Sequence, residues 1–180
     1  MISHSIAEEL NKQVNREFYS SYFYLSMSAH SDFLGLKGFA EWFLAKYKEE
    51  MVHAMKIYKY ILDQGAQVTL LPIEQPPATF ESPLAMLEGT LAHEQKVTRF
   101  IHELVDRAVS ERDHATHIFL QWFVTEQIEE EATVNEILNR VKLVGGKGDG
   151  LFMIDNQLAQ KAAALQQNIT VSSTPMRSPS

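Results

Sequence analysis

From Leu120 to Val141 the chain places Leu120, Phe123, Gln127, Glu130, Val134, Ile137 and Val141 at steps of 3, 4, 3, 4, 3 and 4. That spacing keeps all seven side chains on one face of a helix. Five are apolar, and the central two are Gln127 and Glu130. Three other segments repeat the arrangement. Leu84, Leu87, Leu91, Glu94, Thr98, Ile101 and Val105 form a stripe with Glu94 where a core aliphatic belongs. Phe39, Phe43, Tyr47, Glu50, His53, Ile57 and Ile61 form another, broken by Glu50 and His53. Ile6, Leu10, Val14, Glu17, Ser21, Tyr24 and Leu25 form the last, broken by Glu17.

Turn signals bound these stripes. Ser5 with Glu8 reads as a capping box, opening a helix that runs to about Leu34. Gly35 to Gly38 is a short turn, and a second helix follows from about Gly38 to Gln64, with Gly65 as its C-terminal cap. Ser82-Pro83 suits the start of a third helix, running to about Ser110. A tight turn at Glu111 to Asp113 leads to a fourth, ending near Leu143. After Gly145, Gly146 and Gly148 a short fifth helix is expected from about Leu151 to Leu165. Gln166 to Ser180, rich in Gln, Ser, Thr and Pro, is expected to be a mobile tail outside a single domain of residues 1–165.

The stretch from Ala66 to Glu81, with Pro72, Pro76 and Pro77, has no helical period. A helix of ~28 residues is roughly 42 Å long. The ~16 linker residues reach roughly 50 Å when extended, enough to cross a whole bundle. Short turns make helices one and two antiparallel, and likewise three and four. The long connection lets two and three run parallel. The expected fold is all-α: a four-helix bundle with one long crossover and a short fifth helix. Two subdomains joined by a loose loop would leave an apolar face exposed on each.

In such a bundle the mid-helix positions share one level. Glu17, Glu50, His53, Glu94, Gln127 and Glu130 should therefore converge inside it. Burying unpaired carboxylates costs several kcal/mol each. The stripes hold no Lys or Arg, so internal ion pairs are not expected to neutralise the group. Protonation or bound metal cations remain. Carboxylates with one imidazole suit iron or manganese, with zinc as an opportunist.

Composition narrows the classes further. There are no cysteines, so disulfides, thiolate metal sites and cysteine nucleophiles are excluded. A net charge of −7 argues against a nucleic-acid partner and mildly favours cations. No apolar run is long enough for a membrane span, and no secretory signal is visible at Met1 to His4. The expected location is cytoplasmic.

Glu17, Glu50-x-x-His53, Glu94 and Gln127-x-x-Glu130 resemble the ferroxidase centre of bacterial-type non-haem ferritins, and the resemblance runs from about Ile2 to Leu165. It implies a first iron held by Glu17, Glu50 and His53. It implies a second held by Glu94 and Glu130, with Glu50 bridging and Gln127 a polar neighbour. Tyr24 matches the tyrosine that family places beside the centre, though a core tyrosine reads equally well. Glu49, Glu126 and Glu129 match a third iron site on the cavity side, against the plainer reading of a solvated acidic face. The resemblance further implies a homo-oligomeric cage of twenty-four copies. There Fe(II) is oxidised by O2 or peroxide and kept as ferric oxyhydroxide.

Departures from related proteins matter. Bacterioferritins and dinuclear oxygenases carry Glu-x-x-His on two helices, whereas here the second pair is Gln127-x-x-Glu130. One iron thus lacks a nitrogen ligand, which suits a site that passes iron onward. Met51 follows Glu50, as the haem-ligating methionine does in bacterioferritins. It is read as packing, and no haem is expected. Asp113, His114 and His117 stand where ferritins line three-fold channels, with fewer acids than usual. His30, His93 and His102 are assigned to polar faces, and Trp122 to ordinary packing in preference to a redox-active aromatic near the centre. The rival readings are a dinuclear oxidase acting on an organic substrate and a non-catalytic shell subunit.

Overall fold

The computed structural model describes residues 1–172, and among them every regular element is a helix. They are α1 (His4–Phe33), α2 (Lys37–Asp63), α3 (Pro83–Ser110), α4 (His114–Leu143) and α5 (Gly148–Ser172). The start of α1 differs from expectation. Ser3 is its N-cap, accepting from the Ile6 N–H at 3.1 Å. Ser5 Oγ instead accepts from Arg107 Nη1 of α3 at 2.6 Å. The other boundaries follow local chemistry. Gly65, at φ +71°, closes α2 with Ala66 N–H donating back to Ile61 C=O. Ser82 and Asp113 cap α3 and α4 through their side chains.

Side-chain contacts fix the topology. The crossover climbs along α1. Asn11 accepts from Thr69 N–H at 2.7 Å, Ser26 donates to Pro77 C=O, and His30 Nε2 meets the Phe80 backbone. α3 then descends beside α1, with Thr90 on Met27, His93 on Ser20 and Arg107 on Ser5. Since α2 also descends beside α1, α2 and α3 are parallel, as the linker length requires. α4 returns against α3, bringing Gln127 to Glu94 and Glu131 to Thr98.

The apolar core is divided. One cluster, including Tyr24, Phe43, Leu87 and Val141, fills the end where α5 docks. A second, including Leu10, Val14, Ile57, Ile101 and Leu120, fills the other end. The mid-helix polar residues lie between the two.

The fifth helix is longer than expected, because Gln166 to Ser172 continue it; residues 173–180 of the expected tail lie outside the described residues. Ile154, Leu158 and Ala162 bury its inner face. Asp155 Oδ1 accepts the Phe39 N–H at 2.9 Å, satisfying a donor in the first turn of α2. The helices approach so closely there that a Cβ at Gly38 would stand 1.7 Å from the Asp155 carbonyl oxygen.

Candidate metal centre

Glu17 from α1, Glu50 and His53 from α2, Glu94 from α3, and Gln127 and Glu130 from α4 are all buried in the layer between the apolar clusters. Each sits on its helix's inward stripe, so the convergence follows from the 3–4 spacing. Glu17, Glu50 and His53 offer ligand atoms that all lie within 4.8 Å of one another. His53 Nδ1 stands 3.2 Å from Glu50 Oε2, and Gln13 Nε2 donates to Glu17 Oε1 at 2.7 Å.

The second half of the layer is organised by hydrogen bonds. Gln127 Nε2 donates to Glu94 Oε2 at 3.1 Å and lies 3.3 Å from Thr98 Oγ1. The Tyr24 hydroxyl donates to the other Glu94 oxygen. Tyr24 is therefore a fully buried tyrosine with its hydroxyl directed at a candidate ligand.

One expectation fails here. A lysine does enter the acidic layer. Lys46 is 2% exposed, and its Nζ contacts Glu130, Glu49 Oε2 at 2.8 Å and Glu50 Oε1 at 3.9 Å. The stripe of α2 passes through Lys46, while Tyr47 is half-buried at its edge. Position 46 is three residues after Phe43 and position 47 is four, so spacing admits either. Lys46 also stands one turn before Glu50, the i,i+4 relation of a helical ion pair, and that was the available signal.

The electrostatics reflect crowding without water. Burial, with Glu50 beside it, pushes the Glu17 carboxyl up to about 8. Burial acts on Glu50 in the same sense, but the His53 imidazolium and Lys46 overcome it and hold Glu50 at about 2. Burial opposes charge on His53 too, yet Glu50 and Glu17 raise it to about 10. Burial raises Glu94; at Glu130 burial acts in the same sense, but the Lys46 ammonium in direct contact opposes it and favours the ionised carboxylate. Burial also disfavours the Lys46 ammonium, but Glu130, Glu49 and Glu50 outweigh it and hold the group charged. Without metal, the layer is stabilised by held protons and one ammonium. A divalent cation could replace them.

The outer carboxylates divide. Glu49 and Glu126 form a second cluster with His53, ligand atoms again within 4.8 Å. Glu126 is half-buried, while Glu129 is exposed and belongs to neither cluster. His53 is thus shared between an inner and an outer position. Met51 is half-buried. Of the possible channel residues, His114 is exposed and His117 half-buried.

Two further assignments need correction. His93 is not on a polar face. It is partly buried, its ring 4.9 Å from that of Phe23 and its Nε2 2.8 Å from Ser20 Oγ, and burial lowers it to about 4. The aromatic pocket comes from α1, so nothing near position 93 in sequence announced it. Trp122 is not fully packed: it is 37% exposed, stands edge-on to His53 at 5.3 Å, and carries Lys56 Nζ 4.1 Å from its ring centre.

The sequence matches the ferritin-like domain family over residues 7–144. Among curated relatives, a probable bacterial non-heme ferritin-like protein of Haemophilus influenzae is 39% identical, the match covering 88% of this chain and 96% of that one. The bacterial non-heme ferritin of Campylobacter jejuni is 37% identical over 88% of this chain and 95% of its own. Among solved structures, an open-pore ferritin from the hyperthermophilic archaeon Archaeoglobus fulgidus superposes with a TM-score of 0.87. It is 44% identical, over 88% of this chain and 98% of that one.

Proposed function

The chain belongs to the ferritin family, and from that premise we propose that it oxidises Fe(II) at the buried carboxylate–histidine layer and stores the product as ferric mineral. Iron is the substrate. The observation that carries the reading is the gathering of Glu17, Glu50 and His53, with ligand atoms within 4.8 Å, in an interior where they are tolerable only with protons or cations.

Glu17, Glu50 and His53 hold one Fe(II). Glu94 and Glu130 hold a second, and Glu50 lies between the two positions. Each ion gives one electron, so the pair reduces O2 to peroxide, with two protons taken up. Peroxide can itself accept two electrons to give water. Fe(III) then hydrolyses to oxyhydroxide, releasing three protons per iron. The residues supply position and charge compensation. Gln127 and Tyr24 fix the two oxygens of Glu94. Glu49 and Glu126, with Glu129 at the rim, form the outer position through which iron leaves toward the mineral.

The assembly is a closed homo-oligomer of twenty-four copies around a hollow interior, located in the cytoplasm. Relatives and neighbours named as ferritins support that reading. Among the described residues no helix is long and apolar enough to cross a membrane. An organic-substrate oxidase fits less well. A cavity of about 600 Å³ lies at the bundle end between Met1 and Leu71, and none of the convergent carboxylates lines it.

The test is aerobic addition of Fe(II) to the intact assembly, following oxygen consumption and iron retained. Storage requires more iron per subunit than the centre can hold, in particles whose outer size does not change. Joint replacement of Glu17, Glu50 and Glu130 by Ala should reduce initial oxidation to the uncatalysed background. Wild-type oxidation no faster than the uncatalysed background, and unchanged in that variant, would leave the shell-subunit reading.

A further inference from the structure

We propose that Lys46 is a tethered counter-ion that occupies the Glu130 half of the centre until a second divalent ion displaces it. This rests on reading the layer as a two-ion centre. The two halves of the layer are unequal. Around Glu17, Glu50 and His53 the ligand atoms already converge, and Lys46 Nζ comes only to 3.9 Å of Glu50 Oε1, the oxygen other than the one facing His53. At Glu130, by contrast, carboxylate oxygen Oε2 is in direct contact with Lys46 Nζ. A divalent ion on that oxygen would share a dry space with the ammonium, so both cannot remain.

The displaced arm has a second partner. Lys46 Nζ already touches Glu49 Oε2 at 2.8 Å, and Glu49 lies toward the outside, its side chain 13% exposed against 7% for Glu130. A four-carbon stem can give up Glu130 and keep Glu49 without leaving a buried charge unpaired. When Lys46 moves outward, it also places its charge beside the Glu49–His53–Glu126 cluster. Filling the second inner position therefore weakens the outer one. Lys46 acts through Glu130 and Glu49 and is a positioning residue, not one that meets the reacting atoms.

The experiment is anaerobic titration of the metal-free assembly with Co2+, which is coloured and survives without oxidation. Wild type is compared with Lys46→Met, which keeps length and loses charge, and Lys46→Arg, which keeps charge. Wild type should bind a first ion per subunit at least about ten-fold more tightly than the second. Lys46→Met should tighten the second ion by about ten-fold or more, with the first little changed, and Lys46→Arg should restore the separation. A Lys46→Met titration superposing on wild type, or a second ion weakened by it, overturns the proposal.

Should Lys46→Met fail to assemble, wild-type crystals with one equivalent and with excess Co2+ decide the matter. Lys46 must lie on Glu130 in the first and on Glu49 alone in the second; an unmoved Lys46 beside a filled second position overturns the proposal. The underlying reading fails differently. It fails if wild type binds no Co2+ that Glu17→Gln removes.

Discussion

Asp155 of α5 accepts the backbone N–H of Phe39, at 2.9 Å and out of contact with water, so the fifth helix supplies a cap that α2 lacks in its own sequence. Leu36, the residue before α2, makes no side-chain cap bond. Asp155→Ala should cost about 1–3 kcal/mol, the cost of a buried donor left unpaired. Gly38→Ala should cost more, because its Cβ would meet the Asp155 carbonyl oxygen and push α5 away. Chemical denaturation measures both. Limited proteolysis within α5 should accelerate for Gly38→Ala first.

Metal binding should release protons. In the metal-free protein at pH 7, Glu17, held at about 8, and His53, held at about 10, both carry one. Glu50, at about 2, carries none. An ion at these three residues should therefore expel about two protons at pH 7, and about one between pH 8 and 10. Calorimetry in buffers of different ionisation enthalpy counts them. A proton count independent of pH would contradict the assignment.

The stability of the metal-free protein should fall as pH rises. Glu17 and His53 have folded-state values above their ordinary 4.5 and 6.5. The folded state thus binds the extra proton. The stability this gives is complete below those ordinary values and is lost as pH climbs to about 8 for Glu17 and about 10 for His53. Glu50 behaves oppositely, its contribution being lost as pH drops from 4.5 toward about 2. Thermal midpoints should decline between pH 6 and 9 without metal and much less with a saturating divalent ion.

Glu17→Gln should separate stability from function. The amide keeps the shape and can still accept from Gln13, but it carries no charge to suppress. The metal-free variant should gain about 1 kcal/mol or more at neutral pH, growing from pH 4.5 to about 8 and then level. It should lose tight metal binding at the same time. A variant less stable than wild type at every pH would show Glu17 acting as a structural hydrogen-bond partner alone.

His93 gives the acid limb. Burial lowers it to about 4, so its contribution is present above the ordinary 6.5 and lost as pH falls toward about 4. His93→Phe should flatten the stability profile across that window, in thermal melts of metal-free protein.

Much of this was legible in the sequence for one reason: helical spacing reports which residues share a face. Four acids, one imidazole and one amide interrupting apolar stripes at mid-helix could be placed together without knowing any helix direction. The proline-bearing linker was long enough to make the second and third helices parallel. What escaped was whatever spacing leaves undetermined. Lys46 and Tyr47 both satisfy the step after Phe43, and the aromatic is the more apolar choice; only the packed bundle shows the lysine turned inward. His93 is sheltered by Tyr19, Phe23 and Tyr24, about seventy residues away in sequence. Gln166 and Gln167 carry α5 past Ala162 to Leu165 because Gln, like Ala and Leu, is a good helix former, a local preference that polar composition concealed.

The central claim is that the buried layer holds iron. Anaerobic crystals of the whole assembly soaked in ferrous salt, with diffraction recorded on both sides of the iron absorption edge, test it directly. The account predicts an anomalous peak bounded by Glu17, Glu50 and His53, and a second near Glu94 and Glu130 at higher iron. Crystals with iron elsewhere in the shell and none among these side chains would contradict it.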